Sequence, residues 1–140
     1  MNDMAKHGAT IAGGALLVVG SLMTWISVDL GFQAFSSTGT ETAEGKLTLA
    51  AGIVLLAVGG LLVSRIFTHS AIVYVGTAAA VFGAVVLALE YMDVRDRIAE
   101  ADGTGAVATV GAGVWIAAIG VLLALCATAW SAIDQRTSAG

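Results

Sequence analysis

Four stretches of this 140-residue chain carry no charged side chain: Gly8–Val28, Leu47–Ser64, Ser70–Leu89 and Gly103–Ile133. A helix needs about 20 such residues to cross the hydrocarbon core of a bilayer. In lipid only helices or closed barrels satisfy their own backbone hydrogen bonds, and these runs lack the alternation of a barrel strand. The chain is 58% hydrophobic and 11% charged, against roughly 25% charged in an ordinary soluble domain. A chain this small leaves a large share of its surface in solvent, so for most of its length that solvent is expected to be lipid. The predicted fold is an all-α integral membrane protein. It is a four-transmembrane-helix bundle forming one membrane domain over residues 1–140, with helices at about 8–28, 46–65, 70–101 and 105–131. The first run follows Lys6 but is too long for a signal-peptide core and lacks a small-x-small cleavage site, so it is expected to be a permanent helix.

Each predicted helix carries two glycines seven residues apart: Gly13 and Gly20, Gly52 and Gly59, Gly76 and Gly83, Gly113 and Gly120. Lipid gives helices no hydrophobic reason to associate, so close backbone approach through small residues does that work. A seven-residue seam suits left-handed crossings near +20°, and the four seams are expected to face one another in a compact bundle. Helices two and four also align over "AAGIVLLAVGGLL" and "GAGVWIAAIGVLL" at an offset of 61, and helices one and three less well at 63. That pattern suggests a helical hairpin used twice.

Two outer segments, about 29–45 and 90–104, interrupt the apolar runs. After a first helix ending near Trp25, Ile26, Val28, Leu30 and Phe32 alternate with Ser27, Asp29 and Gly31, which is strand period, and "SSTGT" supplies turn residues. The expected structure is a short extended piece or hairpin on the bilayer surface, with Trp25, Phe32 and Phe35 at headgroup level, where tryptophan is enriched. "GTETAEGK" is not a phosphate loop: Gly39 and Gly45 have five residues between them rather than four, and Leu47 follows Lys46. Thr42 or Glu44 is the expected N-cap of helix two. In "EYMDVRDRIAEADGTG", Tyr91, Val94, Ile98 and Ala101 keep helical spacing, Asp93 and Arg97 stand four apart, and Gly103 is a terminating residue. Helix three is therefore expected to protrude by about 15 Å, its apolar stripe covered by the Ile26–Phe35 segment or by a partner. Glu90 lies seven residues beyond Gly83 and should point inward at the membrane edge, beside Lys46 or Arg95.

The charges exclude several function classes. Eight of the ten acids fall between Asp29 and Asp102, and no basic footprint for nucleic acid exists. No ionisable residue lies near the centre of any run, where proton relays and ion pathways normally place one. His7 and His69 have no cysteine or carboxylate cluster beside them and make a poor metal site. Cys126 is single, so no intramolecular disulfide forms. No nucleophile–base pair or paired carboxylate at depth suggests an enzyme, and no cofactor is expected.

At "GSLMTWISV" and "SSTGTETAEGKLTLAAGI" the sequence resembles small prokaryotic four-helix membrane proteins of actinobacterial and archaeal type. Their pattern is a tryptophan-ended first helix, a Ser/Thr/Gly-rich outer segment and a Gly-x-Leu-Thr-Leu start to helix two. It covers about a third of the chain, with Thr24 where proline often precedes the tryptophan. The resemblance implies topology and no activity.

The expected function is a non-catalytic accessory subunit, assembly factor or self-associating scaffold of a membrane complex. Its partners would be the bilayer and either other proteins or further copies of itself. The candidate contact residues are Trp25, Phe32, Phe35, Glu90, Tyr91, Val94 and Ile98. The alternative is an oligomeric channel or small transporter with a path between protomers, using Thr24, Thr77 and Glu90. Multi-pass insertion in the plasma membrane is expected. Lys6, Arg65 and Arg136 balance Lys46, Arg95 and Arg97, so the positive-inside rule does not choose an orientation. Cytoplasmic N- and C-termini follow from placing the two longer connections outside.

Overall fold

A computed structural model describes residues 3–64, 70–103 and 105–138. The expected turn at 65–69, with Arg65 and His69, lies outside the described residues, as does the side chain of Arg136. Four helices dominate: α1 (Asp3–Leu22), α2 (Ala43–Ser64), α3 (Ser70–Asp102) and α4 (Ala112–Ser138). Three are long and apolar enough to cross a membrane: Ala43–Ser64, Ala71–Asp102 and Ala112–Asp134. The helices pack in a ring in which α1 touches α2 and α4, and α3 touches the same two.

The α1–α4 contact is the closest, and glycine makes it possible. A methyl group on Gly13 would lie 2.7 Å from the Gly120 carbonyl, and one on Gly20 would lie 2.7 Å from the Ala117 nitrogen and 2.8 Å from the Gly113 carbonyl. The reverse contacts match: Gly113 faces Gly20 and Gly120 faces Gly13. The two helices therefore run antiparallel with their backbones touching. The other seams behave differently. Gly52 and Gly59 receive Leu17, Val18 and Ile11 of α1, while Gly76 and Gly83 lie under Val58 and Ala51 of α2. Only one pair of seams meets glycine to glycine, so the sequence repeat does not become a repeated packing. Gly14, outside the seven-residue series, makes a further backbone approach to Gly52 and Leu56.

At the end opposite the amino terminus of α1, the chain builds a three-stranded antiparallel sheet from β1 (Thr24–Asp29), β2 (Ala34–Thr38) and β3 (Val107–Val110), in the order β2-β1-β3. Several expected boundaries are corrected: α1 begins at Asp3 rather than 8, and α4 runs to Ser138 rather than 131. The first helix stops at Leu22 rather than near 28, because Thr24, Trp25, Ile26 and Val28 favour a pleated ladder and find one on both sides. The fourth helix starts at Ala112 rather than 105, because Val107–Val110 pairs with Ile26–Asp29. The expected hairpin is present. Its two strands turn through Gly31 (φ 80°), with Leu30 N–H donating to the Gln33 carbonyl at 2.9 Å. Thr42 caps α2, accepting the Gly45 N–H at 3.0 Å, one turn before the expected start. At the opposite end, the buried Lys6 ammonium pairs with Asp134, joining α1 to α4.

Replacing Gly13 or Gly120 by Ala is expected to destabilise the protein by about 1–3 kcal/mol, the usual effect of overpacking. Gly60→Ala, which meets nothing within 4 Å, should leave stability unchanged or slightly raised. Thermal unfolding in detergent micelles, followed by circular dichroism, measures both.

Candidate functional site at the outer cap

Trp25 organises this end of the molecule. It sits at a bulge, where Thr24 pairs with Thr38 but Ile26 pairs with Ser37, leaving Trp25 without a cross-strand partner. A bulge re-aims the side chain it carries, and here the indole enters the helices. Trp25 is 1% exposed, and its Nε1–H donates to the Gly20 carbonyl at 2.7 Å. Its ring lies against Gly39 and Gly113, where a methyl group would approach to 2.6 and 2.7 Å. Its own carbonyl accepts the Gly111 N–H at 2.8 Å. The expected interfacial anchor is thus a buried joint between α1, the sheet, the 3-10 turn at Gly39–Glu41 and the start of α4.

Beside it, Trp25, Ile26, Ser37, Thr42, Glu90, Asp93, Val94 and Arg97 enclose a cleft of about 20 Å³, room for about one water. Glu90 is 2% exposed, so its inward position is as expected, but its surroundings are not. The polar side chains around it are Thr42, the acidic Glu44 and Asp93, and the cation Arg97, rather than Lys46 or Arg95. The Thr42 hydroxyl donates to the Gly39 carbonyl at 2.9 Å. Glu90 lies beside the N-cap of α2, where the positive end of the helix dipole favours a carboxylate. The predicted Asp93–Arg97 pair forms, with Nη2 to Oδ2 at 2.7 Å.

The remaining expected contact residues divide by exposure. Val94 is buried under the sheet and Ile98 is half-buried, so the apolar stripe of α3 is covered by the chain itself. Strand β3 shares that cover with β1, a contribution the sequence reading missed. Tyr91 stands outside it and meets Trp115 edge-on, with ring centroids 6.3 Å apart. Phe32 and Phe35 are exposed on the hairpin. Trp25, Val94 and Glu90 are therefore unavailable to a partner, while Phe32, Phe35 and Tyr91 are available. The polar groups considered for a path between protomers do not converge. Thr24 is in the sheet, Thr77 donates to the Val73 carbonyl of its own helix at 2.9 Å, and Glu90 is enclosed by the cap. Among the described residues, no three His, Cys, Asp or Glu side chains come together as metal ligands. Searches against known protein families, characterised proteins and solved structures found no match.

Trp25→Phe should cost about 2–3 kcal/mol, from the lost hydrogen bond and the void left by the smaller ring. Glu90→Gln keeps the shape while removing a charge shielded from water beside two other carboxylates. It should leave the melting temperature unchanged or raise it by up to about 4 °C. The same thermal unfolding assay separates the two variants.

Proposed function

We propose that this chain is a four-span protein of the plasma membrane acting as a non-catalytic accessory subunit, assembly factor or scaffold of a larger membrane complex. The observation that carries the proposal is the closed interior. Buried Thr10, Ser21, Thr48, Thr128 and Ser131 each donate to the carbonyl four residues earlier in their own helix, at 2.8–3.1 Å. None is aimed at a shared conduit, and Glu90 is enclosed. A bundle of this kind supports binding at its surface rather than passage through its centre.

Membrane placement is supported by two aromatic levels. Exposed Trp115 and Tyr91 mark one and exposed Trp130 and Tyr74 the other. Position 130 is fifteen residues beyond position 115 in α4, about 22 Å along a helix, which sets one aromatic level toward each interface within a hydrocarbon core of about 30 Å. The antiparallel contact of Gly13 with Gly120 and of Gly20 with Gly113 sets α1 alongside that same stretch, which supports a fourth span. The sheet then lies outside, and both termini lie in the cytoplasm.

Two measurements test this reading. In a Cys126→Ala background, a membrane-impermeant maleimide should label Phe32→Cys on intact cells, and Met4→Cys only after permeabilisation. Labelling of both from one side would remove the fourth span. Mild polymer extraction with a C-terminal tag, followed by mass photometry and mass spectrometry, should recover a stoichiometric companion. A strictly monomeric protein that brings nothing with it would sink the accessory role.

A further inference from the structure

We infer that the far end of the sheet docks a basic protein partner, whose apolar pocket, rimmed by Lys and Arg, closes over Leu30, Phe32 and Phe35. The inference rests on the accessory reading and adds the surface and the chemistry of what it binds.

Position comes first. Strand β1 leaves the end of α1 and runs antiparallel to β3, which leads directly into α4. The hairpin turn at its tip is therefore the part of the sheet farthest from the helix bundle. Five steps of strand from Thr24 to Asp29 rise about 17 Å, and the α3 extension from Tyr91 to Asp102 rises about 16 Å. Headgroups add only about 5–8 Å to each side of the hydrocarbon. Leu30 and Phe32 thus stand in water, above the layer that would otherwise receive them, and Phe32 is 87% exposed.

The tip is also held rigidly. Gly31 N–H donates to the Asp29 carboxylate at 2.7 Å, and Leu30 bonds to Gln33 across the turn. A hairpin turn of this kind with glycine at its first central position presents the next side chain without further ordering, which lowers the cost of binding. Phe35, opposite Val28 in the ladder, extends the apolar surface down the outer strand. That strand, Ala34–Thr38, has no charged residue or proline of the sort that usually protects an open edge.

Charge selects the occupant. Among the described residues between Asp29 and Asp102, seven exposed carboxylates accompany three exposed cations, Lys46, Arg95 and Arg97, and Arg97 is engaged with Asp93. A second copy brings the same excess of acid and is repelled, as are anionic headgroups. A basic surface is attracted, and attraction of this kind governs encounter and partner choice.

The test places a photo-reactive phenylalanine analogue at Phe32 in the full chain in its native membrane, with Ser36 as the control position. The expected result is an adduct at position 32 with a different protein, cross-linked at a peptide bearing Lys or Arg nearby. Its yield should fall several-fold between about 0.05 and 0.5 M salt, and again in the Glu100→Lys/Asp102→Lys variant once its melting temperature is shown to be unchanged. Adducts confined to lipid, to a second copy or to a salt-insensitive partner overturn the inference, as does equal yield at Ser36. A companion recovered by extraction without any adduct at position 32 rejects this surface alone. Absence of both rejects the accessory reading with it.

Discussion

The bond from the Trp25 indole to the Gly20 carbonyl fixes the ring on which the turn before α2 and the start of α4 close. Gly20 is in the last turn of α1, where carbonyls lack helical partners, and it also accepts the Met23 N–H at 3.2 Å. The indole satisfies that polar end and fills the space above it with a large apolar ring. Two remote segments then have to approach without side chains, at Gly39 and Gly113. The sheet, the turn before α2 and the start of α4 are all positioned by one residue.

Below that joint the bundle follows a different rule. Its closest contact, between α1 and α4, is backbone against backbone, and its buried hydroxyls are spent on their own helices. Among the described residues no buried hydroxyl is left over to line a passage, and Leu17, Leu55 and Val121 fill the centre. Such packing gives a stable, featureless interior and leaves distinctive chemistry to the two ends: the Lys6–Asp134 pair at one and the acidic cap at the other.

What could be read from the sequence was what is local or periodic. The helices, the Asp93–Arg97 pair, the Thr42 cap and the inward direction of Glu90 all follow from spacing along one segment. What could not be read depends on distant pairing. Val107–Val110 is as apolar as the helix after it, so hydropathy merges the two; only Ile26–Asp29, some eighty residues earlier, makes it a strand. Trp25 fits the composition of a membrane interface, and the glycines that receive it are far apart in the chain. Two neighbours of Glu90, Thr42 and Glu44, come from the start of α2, which no period in α3 reveals. The functional reading gained less from sequence because exposure decides which aromatic residues a partner can reach, and Trp25 and Phe32 look alike until the fold separates them.

The order of the strands has a consequence for how the molecule is made. The central strand, β1, emerges early with β2, but its second neighbour, β3, lies beyond the whole of α3. During synthesis the ladder stays half-built until the whole of α3 has been made. A completed three-stranded sheet thus reports that α1, α2 and α3 have all been made and brought together, with only α4 still to follow.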